Sequence, residues 1–161
     1  MAYPAGFSYV KGPVSYVLSR LSSTCTARAR NPVTLSDDRT VIEATSDTSA
    51  IYGISAHDAA DSTRAGYMLV EIPTADTIYA APIQTGVATS VYSVGQCFGL
   101  EKSGNHLRPD TDSAVSFMVQ VVPRDDYSTA ASDDSSVWVH WLGDVLGVFS
   151  SNASFAVYAQ D

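Results

Sequence analysis

The side chains able to carry chemistry are thinly spread through this chain of 161 residues. Histidine stands only at His57, His106 and His140, and none of these belongs to an HExxH motif or an i, i+4 zinc pair. His140 lies between Val139 and Trp141, a setting that suits a core or interface histidine. A hydrolase needs a nucleophile, a base and a group that orients the base. The chain holds 22 Ser, so chance pairings are expected, but it has no GxSxG elbow. Acidic doublets occur at Asp37-Asp38, Asp125-Asp126 and Asp133-Asp134. Neighbours in a strand point to opposite faces, so such doublets do not converge on one substrate and read as solvated turns. Asp110 and Asp112 resemble the start of a calcium loop, but the downstream Gly and bidentate Glu are missing. There is no Gly-rich phosphate loop. Cys25 and Cys97 are far apart and read as free thiols. The expectation is a protein that is not an enzyme and uses no metal or cofactor.

The elements that would have to position a site read as strands. Charged residues make up 16% of the chain, against about 25% in a typical domain. Ser and Thr fill the gap, and Thr, Val and Tyr favour strands while Asp, Ser and Gly favour turns. Strand signals cover residues 40–45, 50–55, 66–72, 77–81, 96–101, 113–122 and 136–142, with further signals at 145–150 and 154–158. Residues 14–21 suit a strand or a short helix, and 56–64 a loop or helical turn. No amphipathic helix of a dozen residues and no internal repeat is visible. About eight to ten short strands with regular turn signals predict an all-β fold, either a small antiparallel barrel or a sandwich. The expected layout is an extended N-terminal arm over 1–13 and a single β domain over 14–161.

Charge and hydropathy narrow the partners. The net charge of −8 argues against nucleic acid, whose phosphates need a positive field. No stretch approaches the roughly 20 apolar residues that span a bilayer, so no membrane partner is expected. Pro4, Gly6, Lys11, Gly12 and Pro13 interrupt any secretory leader, and folding in a reducing host cytoplasm is expected. The charge is uneven: residues 1–36 hold Lys11, Arg20, Arg28 and Arg30 and no acid. Tyr3, Phe7 and Tyr9 are too apolar for a free tail and should bury against something. The expected partner-binding residues are Tyr3, Phe7, Tyr9, Arg20, Arg28 and Arg30.

A resemblance covers roughly residues 31–125. Its residues are the run Asn31-Pro32-Val33-Thr34-Leu35, the run from Ile51 and Gly53-Ile54-Ser55 to Ala59-Ala60, the strands that stop at Pro73 and Pro82, then Val94-Gly95, Leu100 and the strand that stops at Pro123. This order resembles the decoration (cement) proteins of tailed-phage capsids, which have a β-barrel or β-tulip body. The resemblance implies a virion protein that forms a homotrimer on the capsid surface. There it would bind the major capsid protein, bridge neighbouring capsomers and stabilise the head. A competing expectation is a β-sandwich carbohydrate- or receptor-binding module of a phage fibre, with Trp138, Trp141 and tyrosines as stacking platforms.

Overall fold

The computed structural model describes residues 6–45, 50–61, 65–84, 91–104, 106–111, 118–124, 136–142 and 144–145. The fold is all-β, with two antiparallel sheets packed together and not closed into a barrel. The first is six-stranded, in the order β1 (Ser8–Lys11), β8 (Ile78–Pro82), β12 (Ser136–Trp141), β11 (Val119–Val121), β9 (Cys97–Ser103) and β10 (His106–Asp110). The second is five-stranded, in the order β2 (Val14–Arg20), β7 (Tyr67–Pro73), β6 (Gly53–Ser55), β3 (Pro32–Leu35) and β4 (Val41–Glu43). A short parallel pair joins β5 (Ala50–Ile51) to β13 (Asp144–Val145).

Alternation builds the sheets as the sequence demands. In β12, Val137, Val139 and Trp141 turn inward while Trp138 and His140 face out. In β8, Tyr79 and Ala81 turn inward. These residues meet Phe7, Ile51, Ile54, Leu100, Leu107 and Met118 in one core. A second core lies on the opposite face of the five-stranded sheet, around Val33, Val41, Met68, Val70 and Ile72, with Leu21, Cys25, Ala27 and Ala59 packed on it. An isolated bridge from Leu21 to Val41 draws the two outer strands of this sheet toward each other. Gly53 must be glycine here, because a Cβ would stand 2.5 Å from Val70 Cγ1.

Residues 6–13, grouped by sequence with an arm, belong to the body. β1 pairs antiparallel with β8 as the edge of the six-stranded sheet. Phe7 is fully buried, with its ring 5.2 Å from that of Trp141. Gly6 has a positive φ of 112°, and a Cβ on it would come within 2.5 Å of the Arg30 carbonyl. The boundary expected at residue 13 therefore moves back to at least Gly6, because apolar burial of Phe7 outweighs the local breaking tendency of Gly and Pro. Residues 14–21 resolve as the strand β2. Residues 56–61 form turns, and no helix occurs among the described residues. The strand signals at 154–158, half of those at 113–122 and most of those at 145–150 lie outside the described residues.

Candidate binding face

The site is built from one acid inside an apolar strand. Glu71 lies in β7 between Val70 and Ile72 and is buried. Its carboxylate accepts from the hydroxyl of Tyr79 at 2.6 Å and from that of Tyr16 at 2.8 Å. The Arg30 guanidinium reaches it at 3.3 and 3.4 Å. Arg30 also donates from Nε to the Phe7 carbonyl at 2.9 Å, and the Phe7 amide donates to the Arg30 carbonyl at 2.7 Å. Glu71 thus ties β2, β7, β8 and the N-terminal segment together at the seam between the sheets. Burial pushes its carboxyl up, but hydrogen bonds from Tyr79, Arg30 and Tyr16 outweigh that, and it sits below the usual glutamate range. Burial and the bond to Glu71 hold the Tyr79 phenol well above its ordinary value. The bond to Glu71, with a smaller effect of burial, raises Tyr16 as well.

This lock presents an exposed face. β2 pairs with β7 so that Tyr16 lies opposite Glu71, Leu18 opposite Leu69 and Arg20 opposite Tyr67. Directly opposed residues share a sheet face. Tyr16 and Leu18 are each 56% exposed and Tyr67 49%. Tyr9 on β1, 41% exposed, packs edge-on to Tyr79 with ring centroids 6.3 Å apart. Tyr79 shares Glu71 with Tyr16, so the apolar row runs from Tyr9 past Tyr16 and Leu18 to Tyr67. Exposed large apolar groups gathered on one strand pair make this the candidate interaction surface. The Tyr16 ring is held by its hydroxyl bond, so little rotamer entropy remains to be lost on docking.

The six residues expected to bind a partner separate in the structure. Tyr9 and Arg20 lie on or beside this face. Arg28 is exposed but stands 3.6 Å from Asp58, whose other oxygen accepts the Ala29 amide at 2.7 Å. Arg30 and Phe7 are internal: Arg30 is held by Glu71, and Phe7 fills the core. Phe7 is fully buried, and Arg30 is engaged within the chain, so both hold the fold. Tyr3 lies outside the described residues. The positive charge of the first 36 residues is thus partly cancelled by Glu71 and Asp58. Tyr16, Leu18 and Tyr67 were missed. Their signal was the alternation Tyr16, Leu18, Arg20, hidden because Val17 makes the strand apolar on both faces.

The remaining chemistry-bearing groups serve local structure. His57 Nε2 accepts the Leu69 amide at 3.0 Å, which fixes Nδ1 as the donor to the Asp58 carbonyl at 2.9 Å. His140 bridges Gln120 at 2.8 Å and the Ala75 carbonyl at 3.0 Å. His106 lies 3.3 Å from Asn31, on the opposite sheet. Asp38 caps the β3–β4 turn, and hydrogen bonds from Ser36 and Thr40 hold its carboxyl low. Trp141 is buried, and Trp138 is flanked by Lys11 and Arg124 at 5.8 and 4.9 Å, so neither is an open stacking platform. Among the described residues no group of three His, Cys, Asp or Glu side chains could hold a metal ion. No helix among them is long and apolar enough to cross a membrane.

The chain matches no protein-family model, no curated protein and no solved structure.

Proposed function

We propose that this chain is a virion structural protein of the decoration type, docking on the outer surface of a tailed-phage capsid against the major capsid protein. The observation that carries the reading is the exposed row Tyr16, Leu18 and Tyr67 on the β2–β7 face, anchored from beneath by Glu71. The resemblance over residues 31–125 supplies the capsid as partner. The work is adhesive: aromatic and aliphatic anchors bury against a neighbour, and many copies on a symmetric shell add their contacts. Arg20 beside Tyr67 adds a positive group suited to an acidic shell surface. Localisation on the virion, after assembly in the host cytoplasm, follows from the same reading.

The test is to mix the purified chain with undecorated heads of the parent phage, sediment the heads and count bound copies. Tyr67→Ser should lower occupancy at least tenfold while thermal stability stays near wild type. Equal occupancy for the variant sinks the reading. A second reading, glycan binding by a fibre-type module, is favoured by the three exposed tyrosines Tyr9, Tyr16 and Tyr67. Binding of the chain to glycans, lost in Tyr67→Ser, together with no binding to heads, would select it.

A further inference from the structure

Resting on the docking reading for the partner, we infer that Arg20 and Arg39 form a clamp for one carboxylate at the end of the β2–β7 face, and that it takes an acidic side chain of the docked protein.

The apolar row stops at Arg20, the last residue of β2, which lies opposite Tyr67. Just beyond it, Leu21 bridges Val41, and the Ser22 amide donates to the Val41 carbonyl at 3.0 Å. These two links bring the β3–β4 turn alongside the end of β2. A cleft of about 440 Å³ lies between the two segments. Arg20, Ser22 and Ser23 line one side of it, and Asp38, Arg39 and Thr40 the other. That volume is at the small end of ligand sites and admits a single side chain.

Arg39 holds a left-handed conformation, with a φ of 64°. The turn imposes it. The Ser36 amide donates to the Thr40 carbonyl at 2.9 Å, and the Arg39 amide donates to the Ser36 carbonyl at 2.9 Å. Glycine takes such a position without steric cost, whereas a residue with a Cβ is strained there. An arginine at this point loses backbone stability and gains only what its side chain does. Here that side chain lines the cleft that Arg20 lines from the other strand.

The charges in the cleft select the ligand. Arg20 makes no ion pair among the described residues. Asp38 is turned back on its own loop: Oδ1 accepts from the Ser36 hydroxyl, from the Thr40 hydroxyl at 2.8 Å and from the Thr40 amide at 3.3 Å. It pairs with neither arginine. The same bonds keep it ionised. Two guanidiniums and one carboxylate leave a single positive charge, which complements an Asp or Glu side chain better than a phosphate dianion. The planar fork of arginine matches both carboxylate oxygens, and the Ser23 hydroxyl adds a donor. Leu18 and Tyr67 stand exposed next to Arg20, so the whole surface fits an acid flanked by apolar side chains.

The test is a nuclear magnetic resonance titration of the full chain with N-acetyl-glutamic acid α-amide, against sodium chloride at matched ionic strength so that screening is constant. The backbone amides of residues 20–23 and 38–40 should shift and saturate in the millimolar range, with inorganic phosphate binding more weakly. Arg39→Gly should lose these shifts while its Tm stays at or above wild type, because glycine relieves the left-handed position. Arg20→Gln should weaken them as well. On undecorated heads, Arg39→Gly should lower occupancy roughly fivefold. A wild type with no saturating shift, an undiminished shift in Arg39→Gly, or tighter binding of phosphate overturns the clamp. Heads that take up Arg39→Gly as fully as wild type but lose Tyr67→Ser overturn it too, and leave the docking face standing. Heads that take up no wild type overturn the partner, and saturating shifts then leave a carboxylate site without it.

Discussion

Replacing Glu71 with glutamine keeps the shape at the seam between the sheets and removes only the charge. The tyrosine bonds at 2.6 and 2.8 Å become neutral, and hydrogen bonds to a charged group exceed neutral ones by about 1 kcal/mol each. The amide nitrogen that replaces one oxygen cannot accept from the hydroxyl it faces. Arg30 loses its counter-charge, yet its side chain is 27% exposed and can recover some water. The full cost of breaking a buried pair, about 3–5 kcal/mol, is therefore an upper bound. The expected loss is about 2–3 kcal/mol, or about 5–10 °C in Tm for a chain of this length. The assay is urea unfolding followed by fluorescence of Trp138 and Trp141. The pH dependence fixes the cause. Glu71 is depressed in the fold, so its contribution is present above the unfolded glutamate range and is lost as pH falls through the lower folded value. Wild type should thus approach Glu71→Gln in acid and separate from it toward neutrality. Equal stability at pH 7, or a gap that does not shrink in acid, refutes the role given to this carboxylate.

Phe7→Ala should cost about 3–5 kcal/mol by emptying a core site, as read by urea titration. Gly53→Ala should lower Tm by several degrees in calorimetry, because Val70 and the Glu71 carbonyl occupy the space of the new methyl. Raising the salt should weaken head docking, with the slope reduced in Arg20→Gln and unchanged in Arg28→Gln, whose charge already faces Asp58. Cys25 should alkylate slowly near pH 8, since burial raises its thiol, and Leu21→Ala should speed the reaction by opening the second core.

Much of the fold was legible where one face of a strand is buried. The alternation in Val137, Val139 and Trp141, and the proline stops at Pro73 and Pro82, read directly as strands. The start of the chain misled because Pro4, Gly6, Gly12 and Pro13 are local breakers, while burial of Phe7 against Trp141 is a long-range contact no local pattern carries. The binding face was obscured for a related reason. Tyr16, Val17 and Leu18 are consecutive apolar residues, and only the pairing partner decides which of them is covered: Val17 packs on the second core and its neighbours stay out. Arg28 and Arg30 looked like a docking charge because Asp58 and Glu71 stand far away in sequence and meet them only on folding.

The most direct test of docking through the exposed β2–β7 face is hydroxyl-radical footprinting of the chain, free and bound to undecorated heads. Oxidation of Tyr67 and Leu18 should fall several-fold on binding, while that of exposed Val94, on the six-stranded side, stays the same. Protection of Val94 with Tyr67 and Leu18 still fully reactive would contradict the account.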